Sequence, residues 1–193
     1  MRLSFTPSGL IWAYKNALFP MPGHNRDIIE WYRPDPRAII PLNSFHVSRS
    51  LSKILRKGIF TVTRDQDFEG VMRGCAVREE GTWITEEFIR VYGEMHRQGI
   101  AHSVEVWQND RLVGGTYGIN IGSAFMAESM FHHATNASKV AVAALVDHLN
   151  KQHFTLFEVQ FLTPHLQSIG AIEISDQQYC MMLVEARESP ACW

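Results

Sequence analysis

Residues 102–131 read HSVEVWQNDRLVGGTYGINIGSAFMAESMF and contain the pattern that decides the fold. Residues 102–107 and 112–119 both have strand character, and the turn formers Gln108-Asn109-Asp110-Arg111 separate them, which predicts a β-hairpin. Residues 123–131 predict a third strand. Three strands joined by short links indicate antiparallel pairing at the centre of the protein.

The sequence before these strands alternates helices with one short strand. Residues 48–57 predict a helix closed by Gly58, residues 59–63 a strand, and residues 65–73 a helix that ends at Gly74. A further helix begins after the N-cap Thr85, and its apolar face follows the spacing i, i+3, i+4 and i+7: Phe88, Val91, Tyr92 and Met95.

The sequence after the strands predicts a β-α-β arrangement. Asn136 caps a helix that runs to about residue 150, with Ala141, Leu145 and Leu149 on its inner face. A strand over 154–162 and a helix over 175–186 follow. The order of elements indicates an α+β fold, a mixed sheet flanked by helices.

The first 40 residues have a different composition, rich in proline and aromatic residues. Proline fixes φ and removes a backbone donor, so this segment is predicted to form turns and short helices rather than sheet. We therefore expect a small N-terminal subdomain over 1–40 and a main domain over 41–193.

The composition, 46% apolar and 20% charged, is typical of a soluble protein, and no apolar stretch reaches the roughly 18–20 residues of a membrane helix. Lys15 and polar residues interrupt the first 20 positions, so no signal peptide is predicted. Cys75, Cys180 and Cys192 lack metal-type spacing, as do the nine histidines. We expect a monomer in the cytoplasm with reduced thiols and no metal site.

The net charge of −2 hides a strong asymmetry. Residues 33–64 hold seven basic residues against Asp35 alone, which indicates either an anion-binding face or an ordinary solvated helix surface. Within the predicted helix over 48–57, Arg49, Lys53 and either Arg56 or Lys57 fall along one side, at the spacing i, i+4 and i+7 or i+8. Such a row suits a nucleic-acid backbone.

The residues with the best claim to chemistry are Glu158 and Gln160. Side chains two apart in a strand point to the same face, which here is the interior because apolar residues surround the pair. A buried carboxylate is costly unless it is hydrogen-bonded, and Gln160 is the expected partner. The pattern fits a catalytic pair, and it also fits a purely structural one.

Several short motifs in fixed order carry a resemblance to a known family. They are Glu80-Gly81-Thr82-Trp83-Ile84, Ala101-His102-Ser103-Val104-Glu105-Val106-Trp107, Leu112-Val113-Gly114-Gly115-Thr116-Tyr117-Gly118, Glu128-Ser129-Met130-Phe131, Asn136-Ala137-Ser138-Lys139 and Ser168-Ile169-Gly170-Ala171. Together, over residues 9–186, they resemble bacterial leucyl/phenylalanyl-tRNA–protein transferases. The resemblance implies an acetyltransferase-like (GNAT) fold behind a small N-terminal subdomain, here expected to be truncated.

The resemblance implies an aminoacyltransferase that moves leucine or phenylalanine, with methionine as a further donor, from charged tRNA to N-terminal Arg or Lys of proteins, which feeds N-end-rule degradation. It assigns catalysis to Glu158 and Gln160, with Gln160 on the attacking amine and Glu158 orienting Gln160. It places the aminoacyl pocket at eight residues: Trp83, Phe125, Glu128, Leu145, Leu149, Phe157, Tyr14 and Tyr92. Met21 and the basic row over 49–57 are assigned to tRNA.

Three positions depart from the family pattern. Glu158 stands where the family has Asp, Met21 where it usually has Trp, and Thr116 where Met is common. The longer Glu158 shifts the carboxylate, and Met21 lacks the aromatic face that stacks on a base, worth about 1–3 kcal/mol.

An aminoacyl ester is already activated, so its transfer to an amine needs neither ATP nor a metal ion, and no cofactor is predicted. Two alternatives remain at this stage. One is a CoA-dependent N-acetyltransferase, against which the chain lacks the Gln/Arg-x-x-Gly-x-Gly/Ala loop between a strand and a helix. The other is a relative that binds charged tRNA without catalysis.

Overall fold

The computed structural model describes residues 3–23, 29–77 and 81–193. Glu80, the first residue of one family motif, lies outside these ranges. Along the chain the elements are α1 (Pro7–Lys15), β1 (Phe19–Pro22), β2 (Ile29–Tyr32), β3 (Arg37–Ile39), α2 (Arg49–Lys57), β4 (Thr61–Arg64), α3 (Phe68–Ala76), α4 (Glu86–Arg97), β5 (Ala101–Gln108), β6 (Arg111–Ile121), β7 (Ala124–His132), α5 (Ala137–Lys151), β8 (Leu156–Gln160), α6 (Pro164–Gln167), β9 (Ile172–Ile174) and α7 (Asp176–Glu188).

A seven-stranded mixed sheet forms the centre, in the order β4-β5-β6-β7-β8-β3-β9. Every neighbouring pair is antiparallel except β7 and β8, which run parallel because the chain crosses over through α5 between them. The predicted hairpin is confirmed, since β5 pairs with β6 around Asn109 and Asp110, both with positive φ. The α+β class with a mixed sheet flanked by helices is confirmed as well.

Helices cover both faces of the sheet. On one face, apolar residues of α1, α3, α4 and α7 form a first core cluster that includes Leu10, Val71, Phe88 and Leu183. On the other face, α2 and α5 contribute to a second cluster, in which Ala141, Leu145 and Leu149 are fully buried as predicted. Among the described residues, no helix is both long and apolar enough to cross a membrane.

For residues 1–40 the prediction of a short helix is confirmed by α1, but the expectation that this segment contains no sheet is wrong. β1 and β2 form a separate two-stranded ribbon, and β3 lies inside the large sheet between β8 and β9. Pro20 and Pro22 fit the ribbon because a two-stranded ribbon consists of edge strands, where a missing donor is tolerated. The domain boundary after residue 40 stays a prediction.

Two helix ends differ from the expectations. α3 continues through Gly74 to Ala76, and Gly74 serves instead as a packing position, since a Cβ there would approach the Phe131 ring to 2.5 Å. Asn136 stands at the N-cap of α5 as predicted, but it has a φ of 72° and its side chain makes no capping hydrogen bond.

Candidate functional site

A cavity of about 330 Å³ opens where the two parallel strands of the sheet separate. β7 and β8 pair only from Ala124–Leu156 to Met126–Glu158. Beyond these pairs, residues 127–130 of β7 form one wall and residues 159–161 the opposite wall. β1, Trp83 and the segment around α6 close the sides through Phe19, Pro20, Met21, Thr163, His165 and Leu166.

A β-bulge places Glu128 at this cavity. Tyr117 of β6 pairs with Ser129 and Gly118 pairs with Ala127, so Glu128 is the extra residue of β7. In a regular strand, side chains three residues apart point to opposite faces of the sheet. The bulge reverses this alternation, so Ala127 and Met130 both pack with the second core cluster. Gly118 permits the bulge, since a Cβ there would lie 2.3 Å from the Met126 carbonyl oxygen.

Two tyrosine hydroxyls hold the Glu128 carboxyl group. Tyr14 of α1 donates to Oε1 at 2.5 Å, Tyr92 of α4 donates to Oε2 at 3.2 Å, and the two hydroxyls are 2.9 Å apart. Burial raises the pKa of Glu128 to about 8, the charge of Glu158 adds to the rise, and the tyrosine hydrogen bonds oppose it. Burial also raises the pKa of both tyrosines, so they remain neutral donors.

Glu158, in contrast, is sealed inside the protein at 1% exposure. Its Oε1 accepts a hydrogen bond from Nη1 of Arg37 at 2.5 Å, and its Oε2 accepts one from the Tyr179 hydroxyl at 3.1 Å. Burial raises the pKa of Glu158, while Arg37 and Tyr179 lower it. A neutral Glu158 would leave the Arg37 charge buried and uncompensated, so the contacts favour the ionised pair.

Arg37 is the main residue that the sequence analysis missed as part of the site. It is 1% exposed, donates through Nη2 to the Ala17 carbonyl, and lies over the Tyr179 ring at 4.3 Å. In the sequence, Arg37 falls within the basic segment over residues 33–64. A signal was available, since Arg37 directly precedes the apolar run Ala38-Ile39-Ile40 and a buried arginine requires an acid.

Gln160 lines the cavity but does not bond to Glu158. It ends β8 with a φ of 57°, and its side-chain Nε2 donates to the Ala127 carbonyl at 2.5 Å, which bridges the gap between β7 and β8. The predicted Glu158–Gln160 hydrogen bond is therefore wrong. Arg37 and Tyr179 occupy the carboxylate oxygens, and the turn of the backbone at Gln160 directs its side chain to β7.

The predicted aminoacyl pocket divides into three groups. Trp83 and Glu128 line the cavity, and Tyr14 and Tyr92 donate hydrogen bonds to Glu128. Four residues lie instead in the second core cluster, on the face covered by α5: Phe125, Leu145, Leu149 and Phe157. Contrary to the prediction, these four residues are not part of the cavity wall. Phe125 and Phe157 belong to the paired part of β7 and β8, before the strands separate.

The predicted tRNA-binding residues fall in two places. Met21 is part of the cavity wall. Arg49, Lys53, Arg56 and Lys57 lie on α2, are exposed, and form no ion pair within the described ranges. The uncompensated positive charge of residues 33–64 is smaller than the sequence predicts, because Arg33 pairs with Asp176 and Arg37 pairs with Glu158.

The fold also brings together a group that could hold a metal ion, Asp65, His96 and His102, which sequence spacing did not indicate. Nδ1 of His102 lies 2.8 Å from Asp65, and Nδ1 of His96 lies 2.8 Å from the Ala101 carbonyl oxygen. These protein contacts already satisfy the ring nitrogens nearest the group, so the arrangement works as a hydrogen-bonded link between β4 and β5.

The chain matches the family model described as leucyl/phenylalanyl-tRNA protein transferase over residues 39–184, and the model of that family's N-terminal domain over residues 4–35. It is 51% identical to a leucyl/phenylalanyl-tRNA–protein transferase of Roseobacter denitrificans, over 99% of this chain and 90% of that protein. It is 47% identical to one of Rubrobacter xylanophilus, over 96% of each.

Among solved structures, a ribosomal-protein-alanine N-acetyltransferase of Brucella melitensis biovar Abortus 2308 is similar at 12% identity and a TM-score of 0.44, over 58% of this chain and 89% of that one. The two family models together cover most of the chain, and the relatives match nearly all of it. The chain therefore belongs to the leucyl/phenylalanyl-tRNA–protein transferase family.

Proposed function

We propose that this protein transfers leucine or phenylalanine from the 3′ end of a charged tRNA to the α-amino group of an N-terminal Arg or Lys of a protein. Its family is one of aminoacyltransferase enzymes. The observation that carries the proposal is the apolar cavity where β7 and β8 separate, with Glu128 as the one carboxyl group among its described lining residues. The product would enter N-end-rule degradation in the cytoplasm.

The cavity suits an apolar aminoacyl group. Its volume of about 330 Å³ lies within the range of small-molecule sites, about 300–1,000 Å³. Met21, Trp83, Val159 and Leu166 supply apolar wall, so the leucine or phenylalanine side chain would lie among them. The ester carbonyl would then face the polar groups, Gln160 and Glu128.

The acceptor would approach the same polar groups. The Gln160 amide bridges to β7 at the cavity wall, within reach of an incoming amine. Glu158 cannot contact either substrate from its sealed position, so we assign it to holding β8, β3 and α7 together beneath Gln160. Because its pKa is raised to about 8, Glu128 would gain negative charge as the pH approaches that value, and this charge would attract a cationic N-terminus.

The basic row on α2 is proposed to bind the tRNA backbone. α2 begins close to the cavity, because the amide of His46 donates to the Ile169 carbonyl at 3.3 Å and the α6 segment just before Ile169 forms a cavity wall. A tRNA whose 3′ end enters the cavity would therefore run past α2, with no base-specific contacts required. We propose that a monomer suffices for this arrangement.

The alternative of a CoA-dependent acetyltransferase has less support. The connection from β7 to α5, the strand-to-helix link that precedes the crossover, reads His133-Ala134-Thr135-Asn136. It contains none of the glycines that let a backbone wrap a pyrophosphate.

The test is transfer of radiolabelled phenylalanine and leucine from charged tRNA to peptides that begin with Arg, Lys, Asp or Met. We expect label on the Arg and Lys peptides only, lost after RNase treatment, and no acetylation of the same peptides by acetyl-CoA. Gln160→Ala should reduce transfer strongly, whereas Lys151→Ala, a change on the surface of α5, should not. Absence of transfer to every peptide would contradict the proposal.

A further inference from the structure

Two glutamates lie on neighbouring strands near the reaction site, and only one of them is open to a substrate. Both oxygens of Glu158 are occupied, one by Arg37 and one by Tyr179, and the side chain is 1% exposed. Both oxygens of Glu128 also accept hydrogen bonds, from Tyr14 and Tyr92, but this side chain is partly exposed and lines the cavity. A group that exchanges a proton with a substrate must be able to reach it. Of this pair, Glu128 alone meets that condition.

The reaction requires a proton acceptor, because an N-terminal amine has a pKa of about 8 and is largely protonated at neutral pH. We infer that Glu128 is the catalytic residue that removes the proton from the α-ammonium group of the acceptor. This inference rests on the proposed function, and it moves the proton-transfer role from the sealed Glu158 to the carboxylate at the bulge.

The step balances as follows. The Glu128 carboxylate takes one proton from the ammonium group, and the neutral amine attacks the ester carbonyl carbon to form the new C–N bond. The bond from that carbon to the ribose oxygen then breaks, and the amine's second proton passes to the leaving ribose oxygen. The proton on Glu128 is finally released to solvent. One amide, one free ribose hydroxyl and one proton are formed.

The groups around Glu128 suit this role. Tyr14 from α1 and Tyr92 from α4 donate hydrogen bonds to it, and the Glu158–Arg37 pair lies beyond it on β8 and β3. Burial and the Glu158 charge raise the pKa of Glu128 to about 8. A base whose pKa matches that of the acceptor amine exchanges the proton with little free-energy cost. Glu158 is then a positioning residue, whose charge acts on Glu128.

The test compares Glu128→Gln with Glu87→Gln, the same chemical change at an exposed glutamate of α4. Rates are measured with Phe-tRNA and an Arg-initiated peptide between pH 6 and pH 8. We expect Glu128→Gln to lower the rate by about 10²-fold or more, and the remaining rate should follow the titration of the acceptor amine alone. Binding of Phe-tRNA and the thermal melt serve as controls for folding, and Glu87→Gln should behave as wild type.

A second variant separates a catalytic role from a structural one. Tyr14→Phe removes a hydrogen bond that lowers the pKa of Glu128. The acid limb of the pH–rate profile, where the transfer rate falls as Glu128 takes up a proton, should therefore move to higher pH. A structural role would reduce the rate equally at every pH. The inference is overturned if the wild type transfers phenylalanine but Glu128→Gln keeps a rate within about threefold, or if the limb stays in place in Tyr14→Phe. If the wild type transfers nothing, the proposed function fails, and the inference with it.

Discussion

The sealed region around Glu158 and the open region around Glu128 use the same side chain in opposite ways. Glu158 meets a full cation and a hydroxyl, so its charge is neutralised within the protein and serves to connect β3, β8 and α7. Glu128 meets two neutral hydroxyls at the edge of a cavity, so its charge is only partly satisfied. The difference shows that the partners of a buried carboxyl decide how its charge is balanced.

Removing one partner of the sealed pair should have the largest effect. Arg37→Met leaves Glu158 without its cation, and we expect a loss of about 3–5 kcal/mol in the free energy of unfolding. The double variant Arg37→Met/Glu158→Leu removes both charges and should recover most of that loss. Urea denaturation of the single and double variants gives the comparison. If the double variant is as unstable as the single one, the pair is not the source of the effect.

The open region depends on the bulge, and Gly118→Ala tests that dependence. The new Cβ would meet the Met126 carbonyl oxygen and the Phe125 ring, so we expect a loss of about 3 kcal/mol, at the upper end for overpacking. Transfer activity should fall with it because Glu128 moves. Gly93→Ala in α4 is the matched control. The nearest atom to its Cβ is Nη1 of Arg97 at 3.8 Å, and it should stabilise the protein by about 0.5–1 kcal/mol.

The raised pKa of Glu128 should make stability depend on pH. Between its ordinary pKa and about 8, the folded protein holds a proton that the unfolded chain releases, so stability falls as pH rises. From pH 6 to pH 8 the expected fall is about 2 kcal/mol in the wild type relative to Glu128→Gln. Urea denaturation at both pH values measures it. Parallel curves for the two proteins would show that Glu128 titrates normally.

The exposed charges on α2 form a third region, outside the cavity lining, and should have the smallest effect. Each of Arg49→Ala and Lys53→Ala should reduce the slope of log K against log salt for tRNA binding by about 0.7–0.9. Arg73→Ala, which removes an exposed arginine already paired with Glu69 and Glu86, should leave that slope unchanged. Equal slopes in all variants would place the tRNA on another surface.

Most of the main sheet could be predicted from the sequence, because its signals are local. The alternation over 102–131 and the polar turn at 108–111 fix β5 and β6, and the periodicity of Phe88, Val91 and Tyr92 fixes α4. The strands of the first 40 residues were missed. Their prolines are local evidence against sheet, and only the partners across the ribbon and the large sheet make them strands.

The site was predictable in part. The family resemblance assigned Trp83 and Glu128 to the pocket and Gln160 to the catalytic pair, and all three line the cavity. Phe125, Ala127, Phe157 and Val159 all belong to the second core cluster, but Phe125 and Phe157 lie before the point where β7 and β8 separate, whereas Ala127 and Val159 lie beyond it and line the cavity. No property of the individual residues marks that point, because strand separation depends on the pairing of two segments that lie far apart in the chain.

The sequence by itself determined the family, the α+β class and the identity of the polar residues of the candidate site, since motifs and periodicity are properties of neighbouring residues. Only the tertiary structure decided which carboxylate is sealed and which is open. That choice depends on Arg37 from β3, Tyr179 from α7 and the tyrosines of α1 and α4. A pKa and an exposure arise from groups brought together across the whole chain, so neither can be read from the local pattern.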